Sequence, residues 1–258
     1  MSPIALAAAG LAFPGLLILA GVIAILRRRQ PPVRYRTVAL FLGLGAAALV
    51  LTVVWSLLAE KWALGRISPA FYFAVLTASL PEEGFRYLAI RLGLVRRPQF
   101  DPQTAMLLGS LVGLVLGAVE NAGYAADRGW EVGLARSVTS VPYHALAGSV
   151  LGGCITLAFR TGRPWGLAGL ALLVAVHGLA DWPFHGPERG SPGTPVEEFI
   201  GSGWAGNIGS LVVVAVLAAI LARWARGLGA APPQVDNALG PTSSSRTVTG
   251  EPGDSAPG

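Results

Sequence analysis

Apolar residues gather along the chain into seven runs, at roughly 4–26, 38–59, 68–94, 104–126, 137–159, 164–182 and 203–222, with short polar connections between them. Each approaches the about 20 residues that an α-helix needs to cross a hydrocarbon core. Strands of a membrane barrel would instead alternate apolar and polar positions over about 10 residues, and LLGSLVGLVLGAV at 107–119 does not alternate. The expected fold is therefore all-α, a polytopic transmembrane bundle of about seven helices. Pro14 should bend the first helix. Small residues precede its apolar core and no basic segment does, so the pattern predicts a retained helix and not a cleaved signal peptide. The segment PFHGPERGSPGTPVEEFI at 183–200 reads first as a plain linker, and otherwise as a loop that can cover whatever lies beneath it. From Gly227 onward apolar periodicity stops, and a disordered tail is expected. The chain thus divides into two N-terminal helices (1–66), a core of four helices (67–185), a loop with the last helix (186–226) and a tail (227–258).

Composition agrees with a bilayer: 53% of the 258 residues are hydrophobic, 13% are charged, and the mean hydropathy is +0.58. A net charge of +5 would suit nucleic acid, but the basic residues form no patch with interleaved aromatics, so no nucleic-acid partner is expected. Their distribution fits topology instead. Arg27, Arg28, Arg29, Arg34 and Arg36 follow the first run, Arg96 and Arg97 the third, Arg160 and Arg163 the fifth, and Arg223 and Arg226 the seventh. The alternate connections hold only Lys61, Arg66, Arg128, Arg136 and Arg189. The positive-inside rule then puts the N-terminus outside and the C-terminus in the cytoplasm. All the basic residues but Lys61 are arginine, and Ala and Gly abound, which reads as GC-rich coding and points to a bacterial plasma membrane. Cys154, the single cysteine, lies in an apolar run and reads as packing.

Glycines at 109, 113 and 117 in the fourth run, and at 148 and 152 in the fifth, recur at four-residue spacing, which lets two helix backbones approach closely. Against this apolar background the ionisable residues stand out, because each costs about 2.5–3.5 kcal/mol at a bilayer centre. They are Glu82, Glu83 and Arg86 in the third run, Glu120 and Asn121 in the fourth, His144 in the fifth, and His177 and Asp181 in the sixth. Arg86 is four residues from Glu82 and three from Glu83, so it can neutralise one carboxylate and leave the other as a general base. Pro81 can open the helix there. Asp181, four residues after His177, can orient that imidazole or share a ligand role with it. With a rise of about 1.5 Å per residue, Glu120, His144 and His177 fall at similar depths and Glu82 slightly deeper, in the outer half of the bilayer. Singly, each has a plain structural reading as a neutralised pair, interhelical glue or a core histidine; together they read as a site.

The order of these motifs resembles the PrsW family of intramembrane proteases, related to the CAAX prenyl endopeptidase and abortive-infection superfamily. Its paired glutamates and basic residue look like Glu82, Glu83 and Arg86, the basic position being Arg here where Lys is common. Its Glu-Asn pair looks like Glu120 and Asn121, and its two histidine helices look like YHALAG at His144 and HGLAD at His177 with Asp181. The resemblance covers about 75–185. It implies hydrolysis of a membrane-anchored protein substrate, an anti-sigma factor cut on its extracytoplasmic side being one such substrate. By analogy with the prenyl endopeptidases, Glu82 would activate water with help from Glu120 or His144, and His177 with Asp181 or Asn121 would stabilise the oxyanion, without a metal. A competing scheme makes His144, His177 and Glu120 ligands of Zn²⁺, although no H-E-x-x-H helix is present. Two other readings stay open: an ion- or proton-coupled transporter, which would spread its polar residues through the full depth, and a non-catalytic member of the same fold that binds a membrane partner.

Overall fold

The computed structural model describes residues 3–29, 32–63, 72–97, 99–181 and 204–229. The loop at 183–200 and the tail from 230 lie outside them. Seven helices follow in order among the described residues, with no strand: α1 (Pro3–Arg28), α2 (Tyr35–Ala63), α3 (Leu80–Val95) entered through a wider π-type stretch at Tyr72–Ser79, α4 (Pro102–Arg128), α5 (Trp130–Thr161), α6 (Trp165–Asp181) and α7 (Trp204–Gly229). The seven expected helices are present, and α7 runs two residues past the point where the tail was expected to begin.

Local chemistry sets several of these boundaries. Asp101 caps α4 by accepting from the backbone amides of Gln103 and Thr104, both at 3.0 Å, and Pro102 supplies a first-turn residue that needs no partner for its nitrogen. Gly129, at φ 99°, makes the single-residue corner between α4 and α5, a conformation that side-chain-bearing residues rarely adopt. Gly162, at φ 66°, ends α5 in the left-handed conformation.

The interface of α4 with α5 is the most extensive in the fold, and α2 with α3 close one side of it while α1, α6 and α7 pack against α5. Glycine makes the α4–α5 interface possible. A Cβ at Gly109 would overlap the carbonyl of Gly148, one at Gly113 the carbonyl of His144, and one at Gly152 the carbonyl of Ala105. The close approach expected from glycine spacing is therefore realised backbone to backbone.

The outer surface is apolar. Leu51, Val54 and Leu58 on α2, Leu172 and Leu179 on α6, and Val212, Val216 and Ile220 on α7 are exposed, while Glu83, Arg86, Asn121, Arg136, His144 and His177 are buried. Such inversion suits hydrocarbon as the solvent. Among the described residues, Tyr35–Ala59, Pro102–Arg128 and Trp130–Thr161 are long and apolar enough to cross a membrane, and Trp165–Leu179 and Leu211–Arg223 are shorter apolar segments.

Candidate active site

Where the π stretch meets α3, the missing amide hydrogen of Pro81 leaves carbonyls of the preceding turn without their helical donor. The carbonyls four and five residues before it belong to Thr77 and Leu76. Both are satisfied from α2: Ser56 Oγ donates to Thr77 O at 2.9 Å and Trp55 Nε1 to Leu76 O at 2.9 Å. Two side chains of α2 thus clasp the irregular backbone one turn before Glu82 and Glu83. The local opening expected at Pro81 is this π stretch.

The first turn of α3 then delivers its two carboxylates to different partners. Arg86, fully buried, donates to Glu83 Oε1 at 2.5 Å and lies 4.0 Å from Glu82 Oε2. Glu83 Oε1 also meets His177 Nδ1 at 3.0 Å, so a carboxylate on α3 orients the α6 imidazole. The expectation for His177 named Asp181, within α6; the contact with Glu83 comes from another helix. The side chain of Asp181 lies outside the described residues.

His144 joins the cluster from α5. Arg86 Nη2 lies 2.5 Å from His144 Nδ1, and since guanidinium can only donate, Nδ1 accepts and the neutral ring carries its proton on Nε2. That atom is 2.7 Å from Glu120 Oε2 on α4. Glycine again provides the space, because a Cβ at Gly117 would press on the His144 ring. Tyr143 stands edge-on to both imidazoles, its ring centroid 5.4 Å from that of His144 and 5.5 Å from that of His177. Glu82 Oε2 lies 4.0 Å from His144 Nδ1 and 3.9 Å from His177 Nε2.

Glu82, Glu83, Arg86, Glu120, His144 and His177 therefore meet in one cluster, drawn from four helices. Asn121 is buried beside Glu120 and, among the described residues, has no hydrogen-bond partner for its Oδ1 and no hydrogen bond to the cluster. One member was assigned elsewhere from sequence. Arg136, expected in a connection, sits two turns inside α5, donates to Glu120 Oε1 at 2.5 Å and to Ser140 Oγ at 3.1 Å, and stacks its guanidinium 3.7 Å from the centroid of the Tyr124 ring. The apolar run was taken to start at 137, so the charge just before it read as loop; the four-residue step from Arg136 to Ser140 was the available signal.

The profile of the PrsW family, described as intramembrane metalloproteases, matches residues 32–221. The chain belongs to the PrsW family. The PrsW match extends well beyond the motif-bearing 75–185, taking in all of α2 and most of α7, so the helices flanking the four-motif core are part of the family pattern. No curated protein and no solved structure matches the chain. Membership makes it an integral membrane protein and an intramembrane protease.

The PrsW description also implies a metal, and the donor set can be tested against one. Among the described residues, Glu82, Glu120 and His144 present ligand atoms that all lie within 4.8 Å of one another. Two carboxylates and an imidazole fit a zinc-type ion by ligand type and number. His177, named as a candidate ligand, is outside that group, with its Nε2 3.9 Å from Glu82 Oε2. For His144 to ligate through Nε2 it must shed that proton and release Arg86 from Nδ1, so metal binding and the Arg86 contact compete for one ring.

Proposed function

We propose that this chain hydrolyses a peptide bond of a membrane-anchored protein with Glu82 as the water-activating base. One observation carries the reading. Arg86 is committed to Glu83 at 2.5 Å and stays 4.0 Å from Glu82, and Glu82, 16% exposed, borders an open groove while Glu83 is sealed. A water beside Glu82 would give it a proton as the oxygen attacks the scissile carbonyl. His144 and His177, both within 4.0 Å of that carboxylate, are the groups suited to pass a proton to the departing amine as the C–N bond breaks. Glu83 is then a positioning residue for His177, and Glu120 for His144. If a divalent ion is held, Glu82, Glu120 and His144 would hold it, and it would supply Lewis acidity toward the carbonyl.

The arginine distribution supports an N-terminus outside and a cytoplasmic C-terminus. Removing the buried Arg136 from the outer set sharpens that bias. An anti-sigma factor is a substrate of the right kind. Concentration of the ionisable residues in one cluster beside apolar helices favours a hydrolytic site over a relay through the full depth.

The test is cleavage of single-span reporter proteins by the purified chain in liposomes. Glu82→Gln should lower the rate by at least about 10²-fold, the scale of lost general-base catalysis, with thermal unfolding unchanged. Full activity in that variant would reject the assignment. Elemental analysis with a chelator divides the two modes: stoichiometric zinc with chelator-sensitive cleavage supports metal assistance through Glu82, Glu120 and His144, and chelator-resistant cleavage without metal supports glutamate chemistry alone.

A further inference from the structure

We infer that the substrate enters sideways between α2 and α4 and lies extended in the groove there, with the scissile bond about three residues inside its apolar segment; this rests on the proteolytic reading above. A groove of about 590 Å³ runs between those two helices. Its walls are apolar, with Leu49, Val53 and Leu57 from α2 facing Leu116 and Val119 from α4. Glu82 and Glu120 form its floor, 16% and 25% exposed, whereas Glu83, Arg86, His144 and His177 are closed off. Among the described residues, Glu82 and Glu120 bring the cluster to this opening.

The lining decides between occupants. A lipid tail would cover the exposed parts of two carboxylates, 16% and 25% of each, and bring no donor to replace the water it displaces. Ionised carboxylates only accept hydrogen bonds, and an extended peptide brings backbone N–H donors to them. The volume falls within the range of about 300–1,000 Å³ typical of ligand pockets, and a whole helix about 10 Å across would not sit on the floor without unwinding. At one end the groove is bordered by Asp127 and Arg128, an exposed ion pair at 3.8 Å that marks a water-facing rim. Glu120 lies seven residues before Asp127 on the same helix, which is about 10 Å at 1.5 Å per residue. An extended chain covers that distance in about three residues. The preferred substrate is thus an apolar segment with a polar flank anchored at the rim.

Gly123 supplies the decisive variant, since it lines the groove and a Cβ there meets no atom within 4 Å. Gly123→Leu should fill the groove without disturbing the fold and lower cleavage of the reporter that the wild-type chain cuts best by at least tenfold, with thermal stability retained. Gly43→Leu, at another open glycine outside the groove, should cleave normally. In a Glu82→Gln background, a photo-crosslinker replacing Val53 should capture the same reporter. Moving the polar flank of the reporter by three residues should move the cut, read by mass spectrometry, by three residues. Undiminished cleavage by Gly123→Leu, capture of lipid alone, or a cut that ignores the flank would each overturn the inference. Capture at Val53 without cleavage by the wild-type chain would reject the proteolytic reading while keeping the groove; neither capture nor cleavage would reject both.

Discussion

The α4–α5 seam and the α2–α3 junction hold opposite sides of the same cluster by different means. Along the seam, main chain meets main chain at Gly109, Gly113, Gly148 and Gly152, so the positions of Glu120 and His144 follow from backbone contact that tolerates no added atom. At the junction, Glu82 and Glu83 follow a π stretch whose spare carbonyls are held by the side chains of Trp55 and Ser56. Close-packed backbones cannot drift apart without losing many contacts together, whereas two hydrogen bonds can open and re-form. The difference implies a fixed half carrying His144 and Glu120, and a yielding half carrying Glu82 beside the groove.

The largest effect should come from the seam. Gly113→Ala puts a methyl group into the His144 carbonyl and should cost about 3 kcal/mol or more, with cleavage lost; a variant that unfolds at the wild-type temperature would break the comparison. Next comes Arg136→Gln, which strips Glu120 of its cation. Loss of one partner from a buried pair costs about 3–5 kcal/mol, and about 2 kcal/mol is expected here because Glu120 keeps contact with the groove. Cleavage should fall with it, and Arg136→Lys should restore part of the rate, a rescue that simple packing would not give. Smaller still are Trp55→Phe and Ser56→Ala, at about 1 kcal/mol each for one hydrogen bond. Their signature should be a fall in kcat larger than the change in KM, with the fold intact. If either destabilises the protein more than Gly113→Ala, the junction and not the seam is the rigid half.

The smallest effect should come from the far end of α4. Burial pushes the Asp101 carboxyl up, but hydrogen bonds from the Thr104 hydroxyl and from the Thr104 and Gln103 amides, with the Arg29 charge 3.9 Å away, outweigh it and hold Asp101 below the usual carboxylate value. A depressed folded value means the charge-dependent stabilisation is complete above the unfolded value near 3.8 and is lost as pH falls through the folded one. Asp101→Ala should therefore cost about 1 kcal/mol at neutral pH, and the gap between the two melting curves should narrow only in acid, below the ordinary carboxylate range.

Much of this was legible in the sequence because both strong signals are local. Apolar runs fix the helices, and glycine at four-residue spacing marks the faces of α4 and α5 that meet. Ionisable residues in hydrocarbon are conspicuous, so the cluster members were visible before their contacts were. Partner choice was not. Spacing within a helix shows who can meet on that helix, and it carries no sign that Glu83 on α3 meets His177 on α6. Arg136 was hidden by its place just ahead of an apolar run, since hydropathy cannot separate a charge in a connection from one folded inward against an acid sixteen residues earlier. The clasp at the π stretch had only Pro81 as a trace, because the donors that answer it lie more than twenty residues away.

Two ion pairs among the described residues also bear on how the chain can be built. Glu83 and Arg86 belong to one helix, three residues apart, so α3 can enter the bilayer already neutralised. Glu120 and Arg136 belong to two, and neither α4 nor α5 can settle in hydrocarbon alone without an unpaired charge. With only Gly129 between them, the ribosome delivers the second partner almost as soon as the first, and α4 and α5 are expected to insert together as a hairpin, leaving the translocon as a single unit.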